Sequence, residues 1–263
     1  MGCLQDKVAV VTGASTGMGR AIAIAMAAQD ASLGLVARNA GRLEETASVA
    51  RIKGGHVLTF AGDVADNGLA KRVVGTMIER FGHIDILVNN AGTNTFHRNL
   101  ADMSVADWDQ VFSTNITGAF LFTRHVLTHM REAGSGQIIN ISSAAGLAPS
   151  APAGAAYSAS KHALHALTGS VNLEERCHGI RACVIAPGET DTPNLDLRPR
   201  PPAKEHLPNM LRPEDIATAV IYVASQPDHV SVDMLVITPT APRNYQADYD
   251  RYVAEGHTRV AID

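Results

Sequence analysis

Seven apolar runs punctuate the chain, at residues 8–12, 33–37, 57–61, 84–89, 137–142, 181–186 and 233–238. Most are continuous rather than alternating. That pattern marks strands buried on both faces, as in a parallel sheet covered by helices. Between them, helical patterns run over 18–29, 41–53, 68–81, 105–133, 156–178 and 213–225. Pro213 followed by Glu214 suits a first helical turn. Strand and helix in regular succession predict an α/β fold: a doubly wound parallel sheet with helices on both faces and right-handed crossovers. Residues 1–263 read as a single domain of this kind.

Two stretches break the rhythm. Residues 190–210 hold five prolines (Pro193, Pro199, Pro201, Pro202 and Pro208) and few apolar residues. A loop of that length in a compact domain is often a lid, here expected over residues 190–212. Residues 241–263 form a polar tail with Tyr245, Tyr249 and Tyr252 at spacings of four and three, which fit one helical face. A solvated tail and a segment docked on a neighbouring subunit both fit that pattern.

Composition narrows the class. Hydrophobic residues make up 46% and charged residues 18%, which excludes disorder as the main state. A net charge of −4 gives no basic face, so nucleic acid is not an expected partner. No apolar run is long enough to span a bilayer, so no membrane is expected either. The short apolar run after Asp6 and Lys7 is a strand, not a signal-peptide core. The three cysteines form no C-x-x-C pair and fit a reducing, cytoplasmic setting.

The first strand opens into Gly13-Ala-Ser-Thr-Gly17-Met-Gly19, a turn leading into a helix. Glycine permits close backbone approach to a pyrophosphate, and a helix start offers free N–H groups and a positive dipole end. Gly13, Ser15, Thr16, Gly17, Met18 and Gly19 are therefore candidates for a Rossmann-type dinucleotide site. The second strand ends at Ala37-Arg38, where an acid would select NAD. Arg38 instead suits the 2′-phosphate of NADP(H), which is favoured, with NAD(H) as the alternative.

Tyr157 and Lys161 are four apart near the start of an apolar helix, one turn apart on one face. Tyrosine titrates near pH ~10, and a neighbouring ammonium favours its phenolate. Such a tyrosine exchanges a proton with a substrate oxygen. Ser142 and Ser143 end the fifth run and Asn89-Asn90-Ala91-Gly92 the fourth, at the carboxyl edge where ligands of open α/β sheets gather. Asn115 and Gly118 are unfavourable inside a helix, which points to a kink or a hydrogen-bonding duty.

Taken in order, Thr12–Gly19, Gly62-Asp63-Val64, Asn89–Gly92, Asn115, Ile138–Ser143, Tyr157–Lys161 and Pro187-Gly188-x-x-x-Thr192 resemble the short-chain dehydrogenases/reductases. The resemblance covers the chain to about Thr240. It implies that Tyr157 is the general acid/base and that Ser143 bonds the substrate oxygen. Lys161 would bind the nicotinamide ribose and lower the tyrosine pKa. Asn115 would hold a water that links Lys161 to solvent. Asp63 and Val64 would contact adenine, and Asn90, Ala91 and Gly92 the adenosine side. Pro187, Gly188, Thr190 and Thr192 would flank the nicotinamide. The stretch between Ser143 and Tyr157 is one residue longer than usual, and Thr16 stands where many NADP-dependent members carry Lys or Arg.

The expected activity is hydride transfer between NADP(H) and a small-molecule secondary alcohol or carbonyl. The competing reading is a catalytically silent nucleotide-sensing scaffold, which the complete set Asn115, Ser143, Tyr157 and Lys161 disfavours. A homo-oligomer, tetramer or dimer, follows from the resemblance, built on the helices over 105–133 and 156–178. No metal site is expected: His125 and His129 share a helix face without a third ligand. Cys177 and Cys183 are expected to fill space. Arg198, Arg200, Lys204 and His206 in the lid read as a solvated loop, with attraction of an anionic substrate as the lesser reading.

Overall fold

β1 (Val8–Thr12), β2 (Ser32–Ala37), β3 (Val57–Ala61), β4 (Ile86–Asn89), β5 (Gly136–Ile141), β6 (Ile180–Pro187) and β7 (Met234–Ile237) form one parallel sheet in the computed structural model. Residues 1–199 and 201–243 are described, so the tail tyrosines Tyr245, Tyr249 and Tyr252, and Arg200, lie outside the described residues. The strand order is β3-β2-β1-β4-β5-β6-β7. The chain order reverses between β1 and β4, and the crevice of a doubly wound sheet opens at that switch point.

Among the described residues, seven α-helices cover the two faces: α1 (Gly17–Ala27), α2 (Ala40–Ile52), α3 (Asn67–Phe81), α4 (Val105–Phe112), α5 (Gly118–Ala133), α6 (Ala155–Glu175) and α7 (Pro213–Ala224). One apolar cluster joins the sheet to α1, α2 and α7. A second joins it to α3, α5 and α6. The central strands β1, β4, β5 and β6 are buried throughout, and the polar side chains they carry, Asn89, Gln137, Asn140 and Arg181, are buried with them. The edge strand β7 differs: Met234 and Val236 are exposed.

Three further expectations are corrected. The helix over 105–133 is split by a π-helical turn, Ser113–Thr117, between α4 and α5. A Cβ on Gly118 would press into the Val64 side chain at 2.7 Å, so only glycine lets α5 pack this tightly beneath the Asp63-Val64 loop. The stretch over 190–212 is not a plain loop: it contains short 3₁₀ helices at Pro193–Leu197 and Lys204–Asn209. Cys183 is buried, but Cys177 is exposed and fills no space.

Candidate active site

The turn after β1 is held by the side chains of Asn90, just past β4, and of Thr12, the last residue of β1. The Asn90 Nδ2 group donates to the Thr12 and Gly13 carbonyls at 3.0 and 3.2 Å. The Thr12 hydroxyl accepts from the Asn90 and Ala91 N–H groups at 3.0 and 3.1 Å. Asn90 therefore builds the glycine turn as well as lining the crevice. Gly17 sits at φ 53°, in the left-handed region. A Cβ on Gly19 would overlap the Gly13 carbonyl oxygen and Asn90 Nδ2, so α1 can begin this close to the turn only with glycine there. The N-cap Thr16 makes no side-chain cap hydrogen bond, which leaves the first-turn N–H groups for an anion.

A cavity of about 280 Å³ lies over this turn. Gly13, Ser15, Thr16, Gly17, Met18, Gly19, Arg38, Asp63, Val64, Asn90, Ala91, Gly92, Tyr157, Lys161 and Thr192 all line it. Asn39 and Arg42 also line it, adding a second guanidinium to that of Arg38. Asn39 caps α2 by accepting from the Arg42 N–H at 3.0 Å. Among the described residues, the buried Asn90 Oδ1 has no hydrogen-bond partner. Free helix N–H groups, a cradle only glycine can form and two guanidiniums at the β2 end fit a phosphorylated dinucleotide.

Pro187, Gly188 and Thr190 do not line that cavity. They line a neighbouring one of about 400 Å³, together with Met18, Ser142, Ser143, Tyr157 and Thr192. Tyr157, Met18, Ser142 and Thr192 thus border both spaces. The Ser143 side chain hydrogen-bonds the Tyr157 hydroxyl, and its Oγ also accepts from the Ala145 N–H at 3.1 Å, which fixes its direction.

Lys161 is buried at 3% exposure and donates from Nζ to the Ile141 carbonyl at 2.8 Å. Its Nζ lies 5.5 Å from the Tyr157 ring centre. Burial pulls the lysine pKa from 10.5 down to about 8. Burial also raises the Tyr157 pKa; the Ser143 hydrogen bond and the positive charges of Arg198 and Arg98 oppose that rise. The charges that favour the phenolate are thus the guanidiniums of Arg198 and Arg98, and the expected contribution of Lys161 is not among them.

Asn115 sits in the π-helical turn, where the extra residue turns its side chain inward. Its Oδ1 accepts from the Thr93 N–H at 2.8 Å, and its Nδ2 donates to the Thr93 carbonyl and to Ser160 Oγ at 3.1 and 2.9 Å. The expected hydrogen-bonding duty is real, and its direct partners are Thr93 and Ser160. A further buried chain links Asn89 to Asn140 at 2.9 Å and Asn140 to Thr168 at 2.8 Å, tying β4, β5 and α6 together. His165 bonds Ser142 Oγ at 2.9 Å, so Ser142 supports the strand end while Ser143 faces Tyr157.

Four groups in the second cavity had no sequence signal strong enough to single them out: Arg98, Glu189, Arg243 and Asn94. Asn94 and Arg98 come from the loop after β4, Glu189 from the turn after β6 and Arg243 from the segment after β7, and they meet only in the fold. Among the described residues, no helix is long and apolar enough to cross a membrane, and no cluster could hold a metal ion.

The short chain dehydrogenase family model matches residues 7–200. An uncharacterized oxidoreductase of Staphylococcus epidermidis is 36% identical over 91% of this chain and 100% of its own length. The cis-4-hydroxycyclohexanecarboxylate dehydrogenase of Sinomonas cyclohexanicum is 35% identical over 84% of this chain and 90% of its own. A metagenomic short-chain oxidoreductase solved in complex with NADP superimposes with a TM-score of 0.79, at 33% identity, over 91% of this chain and 99% of that one. The sheet order, the glycine turn, the Tyr157–Lys161 pair and these matches agree: the chain belongs to the short-chain dehydrogenase/reductase family and is an NAD(P)-dependent oxidoreductase.

Proposed function

We propose that the protein interconverts a secondary alcohol and a carbonyl compound, with NADP(H) as the preferred cofactor. The observation that carries this reading is the position of Tyr157, which borders both cavities while bonded to Ser143. The cofactor supplies a hydride donor or acceptor when bound. Gly13, Ser15, Thr16, Gly17, Met18 and Gly19 would hold its pyrophosphate, with Asp63 and Val64 at the adenine. Asn90, Ala91 and Gly92 would lie along the adenosine side, and Arg38 and Arg42 at the 2′-phosphate. Lys161 would bind the nicotinamide ribose, and Pro187, Gly188, Thr190 and Thr192 would flank the nicotinamide.

In oxidation, the substrate O–H proton passes to the Tyr157 oxygen as the C–H electron pair leaves with the hydride. In reduction, Tyr157 donates that proton to the carbonyl oxygen. Ser143 holds the same oxygen in place, and Asn115 fixes the Thr93 backbone beside Lys161. The NADP-complexed relative supports the cofactor, and the Sinomonas enzyme, named for a hydroxylated ring, supports the reaction class.

Self-association is also proposed, as a tetramer or dimer. The helices α4, α5 and α6 expose Val105, Trp108, Phe120 and Leu173, apolar area that a second copy would cover. A cytoplasmic location fits the free thiols Cys3, Cys177 and Cys183.

The test is nicotinamide absorbance with NADP(H) and NAD(H) against a panel of ketones, aldehydes and secondary alcohols. Turnover with preference for NADP(H) is expected. Absence of both turnover and cofactor binding would overturn the reading. Light scattering that gives only monomer would refute the self-association.

A further inference from the structure

The second cavity carries an unusual set of charges. Among its described lining residues, Arg98, Glu189, Arg198 and Arg243 are the ionised groups, beside Tyr157 and Ser143. They arrive from four places: the loop after β4, the turn after β6, the lid and the segment after β7. Glu189 is buried, its side chain 4% exposed, and a single oxygen, Oε1, receives both Arg198 and Arg243, the latter at 3.3 Å. Arg98 is 7% exposed and pinned by the Thr95 and Pro152 carbonyls at 2.8 and 2.7 Å. Burial and the neighbouring Arg198 charge pull its pKa down to about 10, so it stays protonated at neutral pH.

Arg198 and Arg243 thus meet on Glu189, and Arg98 lines the same space of small-molecule size, beside the reacting tyrosine. A guanidinium fork matches a carboxylate bidentately, and a low-dielectric cavity strengthens that pairing. We propose that this arginine wall recognises a carboxylate on the substrate, which makes the preferred substrates small hydroxy acids and keto acids. The proposal deepens and rests on the dehydrogenase reading above. It changes the expectation for Arg198, which lines the cavity rather than a solvated loop. The substrate carboxylate takes no part in the chemistry; it orients the carbinol carbon toward Tyr157.

The test uses benzoate and benzamide, equal in shape and different in charge, titrated calorimetrically into the NADP⁺-loaded enzyme. Benzoate should bind at least about tenfold tighter, the scale of one charge-assisted contact. Arg198→Gln should erase most of that preference, Arg198→Lys should keep part of it, and Glu189→Gln should increase it. Thermal melting and NADP⁺ affinity establish that each variant is folded. Equal affinity for the two probes, or a preference that neither Arg198→Gln nor Glu189→Gln alters, overturns the proposal. A parallel turnover panel of hydroxy acids and their primary amides separates the two readings. Tyr157-dependent turnover without acid preference sinks the carboxylate site alone. Acid-selective binding with turnover that survives Tyr157→Phe sinks the dehydrogenase reading and leaves the anion site standing.

Discussion

Replacing Lys161 by methionine removes the ammonium and keeps most of the stem. The lysine is 3% exposed, and burial moves its pKa from 10.5 to about 8. The unfolded chain therefore holds this proton more tightly than the native state does. A base whose pKa falls on folding destabilises the native state at every pH below the folded value. The penalty fades as pH rises from about 8 toward 10.5. At about 1.36 kcal/mol per pKa unit, the wild type should gain roughly 2.5 kcal/mol relative to Lys161→Met between about pH 7 and about pH 10. Loss of the hydrogen bond to the Ile141 carbonyl sets only an offset between the two proteins. Urea unfolding of the cofactor-free proteins across that range measures the difference, in which other titrating groups cancel. A difference that stays flat, or that moves against the wild type as pH rises, would refute the buried-ammonium account.

Two further outcomes follow from the cofactor cavity. Arg38→Gln should weaken NADP⁺ binding by roughly ten- to hundred-fold, the value of a charge-assisted contact, and leave NAD⁺ binding within a few-fold. Fluorescence titration with both cofactors checks this, and equal losses for both would contradict it. Gly19→Ala should destabilise the fold by more than about 2 kcal/mol and weaken both cofactors, because the new Cβ meets the Gly13 backbone. An alanine variant with unchanged melting temperature and cofactor affinity would show that the turn has room.

The sheet was readable because its central strands are apolar on both faces, which continuous runs such as Val8–Thr12 display directly. The glycine turn and the Tyr157–Lys161 pair were readable because their chemistry depends on short, local spacing. The π-helical turn was half visible: Asn115 and Gly118 marked a disturbance, but the reason for Gly118 is contact with Val64, far away in sequence. The arginine wall was not visible at all as a unit. Arg98, Glu189, Arg198 and Arg243 are dispersed over loops, and only the fold brings them to one cavity, with Glu189 buried between two guanidiniums. Local spacing thus reported residues around the first cavity, whereas the second is assembled by long-range packing of loops.

The central claim is that Tyr157 carries the substrate proton. The most direct measurement compares kcat and NADP⁺ affinity for the wild type and Tyr157→Phe, using the best alcohol from the panel. The account predicts a loss of kcat of at least about hundredfold, the scale of general acid–base catalysis, with cofactor affinity within a few-fold of wild type. A phenylalanine variant that binds NADP⁺ normally and keeps most of its kcat would contradict it.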